Sequence, residues 1–226
     1  MDSGASAPCK VRLSRRLRAV AVVLTAAVLA GCGSPYYTSA PIEAWVVDAE
    51  TGAPIEGAVV TANWQLVASG LDTGGRKLHQ LEVMEAVTDK AGRFYFPGFT
   101  RINFTLEQLK DEDPQLLIFK SGYRYARITN DYTLATSAPR SSRAFVGDRT
   151  ALKLSKSTDD LAARGAEIAG LSTSLSGISN SGDSKRIPNM IRHLYCEREK
   201  LARVYPSAGN ISIPGATSVE IHCGKL

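Results

Sequence analysis

Two histidines and two cysteines near the end of the chain have spacings that could hold a metal ion. His193 and Cys196 lie three residues apart in a segment of helical period, so their side chains share one helix face. His222 and Cys223 complete a nominal set of two histidines and two cysteines, as in some zinc sites. Adjacent side chains of an extended chain point apart, however, so His222 and Cys223 are poorly placed to bind one ion. The sequence therefore predicts no metal ligands, and a small metal-dependent hydrolase is kept as the alternative.

Sequence motifs for catalysis are absent from the chain. It contains neither His-Glu-x-x-His nor Gly-x-Ser-x-Gly. The glycine-rich segment 70–77 lacks the Gly-Lys-Ser/Thr ending of a phosphate-binding loop. The acidic segment 111–114 does not have the spacing of an EF-hand calcium loop and is interpreted as a solvated turn, and His79 as a solvated side chain. We therefore expect a protein that is not an enzyme, with no catalytic residue and no cofactor.

Tyrosines on a predicted strand form the candidate ligand face. Tyr123, Tyr125 and Arg127 fall at alternate positions of a strand predicted over residues 123–129, so they share one face. Aromatic rings beside a guanidinium can stack on a sugar ring or a peptide. The alternative is that this stripe covers a sheet face and binds nothing.

The first 32 residues have the pattern of a bacterial export signal. Basic residues precede an apolar run, residues 19–30, that is short for a membrane anchor. The run ends in Leu29-Ala30-Gly31-Cys32, which resembles the lipobox of bacterial lipoproteins. The resemblance implies a signal peptide at residues 1–31 and a membrane anchor of acyl chains, palmitate among them, on Cys32. By the same resemblance, Gly33 implies an outer-membrane location facing the periplasm. An ordinary secretory signal is the alternative.

The basic character of the sequence belongs mostly to this segment. Removing residues 1–31 lowers Lys+Arg from 27 to 22 and Asp+Glu from 22 to 21, a net charge of +1 for the remaining 195 residues. Such a balance gives no electrostatic reason to bind nucleic acid. Cys9 leaves with the signal and Cys32 is acylated, so Cys196 and Cys223 remain, and a pair in an exported protein predicts a disulfide. Closing its 27-residue loop would stabilise the fold by about 3 kcal/mol.

Alternating runs and turn residues predict a β-sandwich over residues 42–154, after a tether at 32–41. Ile42, Ala44 and Val46 share one face of the first strand. Asp48 and Gly52 are typical of the turn that follows, and residues 88–92 repeat its chemistry. Further strands are predicted at residues 59–67, 81–87, 93–97, 116–119 and 144–154, the last with a bend at Gly147.

These turns resemble the carboxypeptidase regulatory-like domains. The shared residues are Asp48, Thr51, Gly52, Pro54, Ile55, Gly57, Ala58, Val60, Thr88, Asp89, Gly92 and Phe94, with Phe119–Tyr123 resembling a later strand. The resemblance covers residues 41–154 and implies a mainly β fold, a prealbumin-like (transthyretin-like) antiparallel β-sandwich of about seven strands. The matched residues are turn and core residues, so the resemblance implies an accessory module and no reaction.

Residues 155–226 are predicted to form a helical extension held by the disulfide. Ser157 and Asp160 have the spacing of a helix cap, and Pro188 suits the first turn of a second helix. The apolar stripes predicted to dock on the sandwich are Leu161, Ile168, Leu171, Leu175 and Ile178, then Met190, Leu194, Leu201 and Val204 flanked by Ile191 and Tyr195. Residues 217–222 are predicted to be a closing strand.

The sequence thus favours a lipid-anchored cell-envelope protein that binds or scaffolds. Its expected partners are membrane lipid, through acylated Cys32, and an envelope protein or cell-wall polymer. A sugar-binding module that uses Tyr123 and Tyr125 is a further alternative to this function.

Overall fold

Strands of the described part of the chain build a β-sandwich, and two α-helices follow them. The computed structural model describes residues 36–67, 78–104, 107–130, 141–180 and 182–225. The strands are β1 (Tyr36–Ser39), β2 (Ile42–Asp48), β3 (Val59–Val67), β4 (Leu78–Val87), β5 (Arg93–Phe96), β6 (Phe99–Ile102), β7 (Gln108–Leu109), β8 (Gln115–Phe119), β9 (Ala126–Ile128), β10 (Ser142–Arg143) and β11 (Ala151–Leu154). The helices are α1 (Leu161–Asn180) and α2 (Pro188–Ala202).

The strands form three sheets, one large and two small. The large sheet has the order β4-β3-β8-β9, with β7 paired to the end of β3. The small sheets have the orders β11-β2-β5 and β10-β1-β6. Pairing is antiparallel except for β11 beside β2 and β10 beside β1, which are parallel. The fold is therefore a mainly β, largely antiparallel sandwich with a C-terminal helical segment, as the sequence predicts.

The large sheet is buried on both faces because β3 and β8 alternate between two cores. Val60, Ala62 and Trp64 of β3 pack with the small sheets in the first core. Val59 of β3, with Leu117 and Phe119 of β8, packs against the helices in the second core. A strand buried on both sides has apolar residues at successive positions, and β8 has four in a row.

The two turns that the resemblance singles out are closed by their own side chains. Asp48 Oδ1 accepts hydrogen bonds from the backbone N–H groups of Glu50 and Thr51, both at 2.9 Å. Asp89 Oδ1 does the same for Ala91 and Arg93 at 2.9 Å. Gly92 has a φ of 72°, and a Cβ there would lie 2.5 Å from the Val46 carbonyl oxygen. Local turn chemistry therefore closes both turns, and Gly92 lets the second turn lie against the backbone of β2.

Both helices dock on the sandwich, as their apolar stripes predict. Ile168, Leu171, Leu175 and Ile178 of α1 are buried in the second core. Met190, Leu194 and Leu201 of α2 are buried in the same core. Val204 follows the end of α2 and is 64% exposed, so its predicted place in the stripe is wrong. The described residues from Tyr36 onward form one compact unit.

The cap of α1 is Asp160, three residues after Ser157, the predicted cap. Asp160 Oδ1 accepts hydrogen bonds from Ala162 N at 2.9 Å and Ala163 N at 3.3 Å. The Ser157 hydroxyl, predicted to be the cap, donates instead to Glu167 at 3.2 Å. Pro188 begins α2, as predicted. A carboxylate at a helix start accepts N–H groups that have no partner within the helix, and Asp160 is the acid that reaches them.

Several predicted segments have a different structure. Tyr36–Ser39, predicted to belong to a tether, is strand β1 and pairs with β6. The closing strand predicted at residues 217–222 is wrong, since a 3₁₀ turn, Ala216–Ser218, starts there and no strand follows in the described residues. The last strand is only Ala151–Leu154, because residues after Phe145 make turns around Gly147.

Candidate functional site

The candidate ligand residues separate in the structure. The strand predicted at residues 123–129 is limited to β9, Ala126–Ile128, so the three side chains do not share a strand face. Tyr123 and Tyr125 precede β9 and line one pocket between the large sheet and α1. Arg127 lies on β9, outside that pocket, and its guanidinium faces the side-chain amide of Gln115 at 2.9 and 3.1 Å. The predicted stripe is therefore reduced to its two tyrosines.

The pocket combines an apolar floor with polar walls. It is partly open to solvent, and the space inside it that a water molecule can enter is only about 20 Å³. Its lining consists of Phe119, Gly122, Tyr123, Tyr125, Ser157, Arg164, Glu167, Ile168, Leu171 and Glu197. This space holds about one water molecule and is far below the roughly 300–1,000 Å³ of typical small-molecule sites.

Helix α1 supplies much of the wall because four of its residues share one face. Arg164, Glu167, Ile168 and Leu171 are spaced by three, one and three residues, which places them together along a helix. Gly170 then makes room for Tyr125, since a Cβ at Gly170 would lie 2.8 Å from the Tyr125 hydroxyl oxygen. The helical period predicts this face, but the sequence does not show that it meets the tyrosines.

The two glutamates of the pocket are each held by a guanidinium and a hydroxyl. Glu197 accepts from Arg164 at 2.7 Å and from the Ser121 hydroxyl at 2.5 Å. Glu167 lies 3.0 Å from Arg124 and accepts a hydrogen bond from the Ser157 hydroxyl at 3.2 Å. Because each carboxylate is paired with an arginine, the pocket can recognise hydroxyl or amide groups without a large net charge. Its lining contains no histidine or cysteine, so it offers neither of the commonest nucleophile and base pairs.

Tyr123 connects the pocket to the turn after β2. Its hydroxyl donates to Asp48 Oδ2 at 3.1 Å. Desolvation raises the pKa of Tyr123, and the hydrogen bond to Asp48 raises it further. The backbone N–H of Thr51 is the main cause that lowers the pKa of Asp48 to about 2. Tyr123 is therefore a fixed, neutral wall of the pocket at neutral pH.

The cysteines and histidines do not assemble a metal site. Cys196 and Cys223 form the predicted disulfide, which takes both thiols out of the nominal zinc set. His193 is half-buried, and burial is the main cause that lowers its pKa, followed by nearby Lys120. His222 is exposed and pairs with Glu220 at 2.8 Å. In the described ranges no three metal-ligating side chains come together. His79, predicted to be solvated, is exposed and lies 2.5 Å from Glu107.

The acidic turn at residues 111–114 is structural, and its interpretation as a solvated turn is wrong for Asp113. The Asp113 side chain is buried, and its Oδ2 accepts a hydrogen bond from the backbone N–H of Gln65. Burial raises the pKa of Asp113 to about 7. Nearby, the buried Arg143 donates to the Leu109 carbonyl oxygen at 2.9 Å and to Asp111 at 3.2 Å. This turn therefore joins β3, β7 and β10, and the sequence gives no sign of its burial.

Two segments singled out from the sequence lie outside the described residues. They are the export signal with Cys32, and the glycine-rich segment 70–77. Within the residues that the structure does describe, neither helix has the length and apolar character needed to cross a membrane.

Comparison with known proteins identifies no family for this chain. No protein-family profile matches it. No curated protein matches it either.

Solved structures match this chain only at low similarity. A 3-chlorocatechol 1,2-dioxygenase from Rhodococcus opacus has 18% identity and a TM-score of 0.31, over 55% of this chain and 62% of that one. The C-terminal domain of shaft pilin SpaA from Lactobacillus rhamnosus has 16% identity and a TM-score of 0.23, over 55% of this chain and 100% of that one. A 9R-lipoxygenase from Cyanothece has 11% identity and a TM-score of 0.26, over 86% and 29%. The chain thus spans less than two thirds of the dioxygenase, and these similarities give it no function.

Proposed function

We propose that this chain is a lipid-anchored cell-envelope protein, a non-enzymatic module that binds or scaffolds an envelope protein or a cell-wall polymer. The observation that carries the proposal is the segment Leu29-Ala30-Gly31-Cys32, preceded by an apolar run and a basic N-terminus. Acyl chains on Cys32 would hold the protein at a membrane, since each buried methylene contributes about 0.8 kcal/mol. By resemblance to lipoprotein sorting, Gly33 supports an outer-membrane location for the proposed anchor, facing the periplasm.

The folded part of the chain agrees with a role in binding or scaffolding. The residues that resemble carboxypeptidase regulatory-like domains close turns or fill the first core, as Asp48, Asp89 and Phe94 do. Such residues make a stiff scaffold and carry no chemistry of their own. The Cys196–Cys223 disulfide fits an exported protein, because disulfides persist in oxidising compartments.

The test of the anchor is the mass of the mature N-terminus. The native protein is extracted from membranes, and its N-terminal peptide is measured by mass spectrometry. We expect a peptide that begins at an acylated Cys32. We expect Cys32→Ser to accumulate as the uncut precursor without acyl mass. An unmodified Cys32 in the mature protein would refute the anchor.

The partner is sought by crosslinking the acylated protein in cells and identifying the products by mass spectrometry. One dominant protein would support an accessory role beside that protein. Glycan fragments would support wall binding instead.

A second candidate function, sugar binding at the protein surface, rests on the two tyrosines that line the pocket. Tyr123 and Tyr125 line it beside two glutamates and Arg164, which together offer a stacking surface and hydrogen bonds for hydroxyl groups. We expect the protein to be retained on a column of cell-wall polysaccharide and Tyr125→Ala to reduce retention. Tyr95→Ala removes a half-exposed tyrosine outside the pocket and is the matched control. Equal retention of Tyr125→Ala and Tyr95→Ala would exclude the pocket as the sugar-binding site.

The metal-dependent hydrolase remains the enzymatic alternative. It predicts bound zinc and free thiols, together with hydrolysis that is lost in His193→Ala or His222→Ala. No contact among the described residues favours it.

A further inference from the structure

An apolar patch lies at the start of the folded domain. Tyr36 of β1 and Ile102 of β6 are direct partners in the antiparallel pair, so their side chains lie on the same face. Tyr36 is 49% exposed, Ile102 is 58% exposed, and Phe104, two residues further on, is 88% exposed. We call these three residues the β1–β6 patch. Large apolar side chains that are exposed together mark contact surfaces more often than scattered single ones do.

Hydrogen bonds and ion pairs of neighbouring residues hold the two segments that carry the patch. The hydroxyl of Tyr37, which is buried next to Tyr36, lies 2.8 Å from Asn103 Oδ1 and 2.8 Å from the Glu107 carbonyl oxygen. These two contacts flank Phe104 along the chain. Arg101 is bound to the buried carboxylate of Glu82, which also lies 2.8 Å from Arg186. The exposure of Ile102 and Phe104 therefore belongs to a segment that is anchored on both sides.

The length of chain before β1 indicates what covers this patch. Three residues separate Cys32 from Tyr36. Four steps between consecutive Cα atoms reach at most about 14 Å. An acylated Cys32 sits at the surface of the bilayer, so the β1 end of the domain has to stay within that distance of the lipid. Other ends of the sandwich are not constrained in this way.

We propose that the β1–β6 patch rests on the lipid surface and fixes the orientation of the domain on the membrane. This inference rests on the proposed acylation of Cys32. The acyl chains supply the anchoring, because several chains bind lipid far more strongly than three side chains do. The patch supplies orientation: Tyr36 suits the headgroup level, while Ile102 and Phe104 enter the boundary with the acyl chains. The occupant of the patch is therefore the bilayer to which the chain is tethered.

The experiment uses a fluorescent label whose depth in the membrane can be measured. Acylated Phe104→Cys protein is labelled with an environment-sensitive dye and placed in phosphatidylethanolamine–phosphatidylglycerol vesicles. Cys32 is blocked by acylation and Cys196 by its disulfide, so the new thiol takes the label. Val204→Cys, an exposed position beyond α2, is the matched control. Nitroxide lipids then quench dyes that lie near the headgroups.

We expect a blue shift and strong quenching of the label at position 104 and little of either at position 204. Adding Ile102→Asp should weaken the quenching at 104 without changing acylation or the circular dichroism spectrum. Equal quenching at 104 and 204 in acylated protein would overturn the proposed contact between the patch and the lipid, while leaving the proposed anchor intact. A mass spectrum without acyl chains on Cys32 would overturn both the anchor and the patch, so the two failures are distinguishable.

Discussion

Asp113 is a buried carboxyl group that links two strands of the large sheet. Its Oδ2 accepts the Gln65 N–H of β3, and it lies two residues before β8. Burial is the main cause that raises its pKa to about 7 from 3.8, although the hydrogen bond and nearby Lys110 act in the other direction. The folded protein therefore holds this proton over a range of pH in which the unfolded chain has released it.

This proton makes stability depend on pH. Its contribution is fully present below about pH 3.8 and is lost as the pH rises to about 7. We expect the free energy of unfolding to fall by about 2–4 kcal/mol over that interval. Asp113→Asn, which has no proton to release, should flatten the fall in urea titrations at several pH values. An unchanged slope in that variant would contradict the pKa assigned to Asp113.

Asp48 gives the opposite dependence at lower pH. The backbone N–H of Thr51 is the main cause that lowers its pKa to about 2 in the fold. Its contribution is present above about pH 3.8 and is lost as the pH falls to about 2. Asp48→Asn should therefore weaken the acid-induced loss of stability and leave the slope between pH 4 and 7 unchanged. The same urea titrations check this, and a change only above pH 4 would refute it.

The first turn of helix α2 is capped by a side chain of the sheet and not by the residue that precedes the helix. The residue before it, Ile187, makes no side-chain cap. Glu85 of β4 accepts hydrogen bonds from the backbone N–H groups of Asn189 at 3.0 Å and Met190 at 2.7 Å. A carboxylate at this end also suits the helix dipole. The sequence predicts the position of Pro188 correctly. The cap comes from Glu85, about a hundred positions away, so it leaves no local signal in the sequence.

Loss of this cap should destabilise the fold measurably. Glu85→Ala leaves two helix N–H groups without their acceptor, and we expect a loss of about 1–2 kcal/mol. Glu85→Gln keeps one oxygen acceptor, so its stability should lie between that of Glu85→Ala and that of the natural protein. Glu56→Ala, on an exposed turn, is the control for removing a negative charge. Thermal unfolding provides the measurement, and equal effects at positions 85 and 56 would argue against the cap.

The disulfide joins Cys196 of α2 to Cys223, which begins a 3₁₀ turn at Cys223–Lys225. The two cysteines are 27 residues apart in sequence, so the bond restricts the unfolded chain. Replacing both with serine should lower stability by about 3 kcal/mol. Thiol titration of the natural protein in denaturant should detect neither Cys196 nor Cys223 until a reductant is added. Two reactive thiols without reductant would instead favour the metal-site alternative.

Over the whole molecule, sequence patterns predict faces well and long-range partners poorly. The alternation of β2 and the stripes of α1 and α2 predict most of the buried side chains, because period and burial are tied along one element, and Val204 fails because it lies beyond the end of α2. Strand β1 was missed because four residues beside Ser and Pro carry little pattern, and its pairing is supplied by β6 and β10. The pocket was only half predicted: the tyrosines follow from sequence, while their contact with α1 depends on how the helix docks.

We expect the sandwich and the helices to unfold together, because each central strand of the large sheet contributes to both cores. On β8, Ile118 is buried in the first core and Leu117 in the second. Leu171→Ala should therefore cost about 2–5 kcal/mol and weaken both layers at once. In a Trp45→Phe background, Trp64 emission reports the first core, and circular dichroism at the helical band reports α1 and α2. We expect the two transitions to coincide and to shift equally, while Ala166→Ser on the exposed side of α1 shifts neither. A helical transition that moves alone would show that the helical layer folds independently of the sandwich.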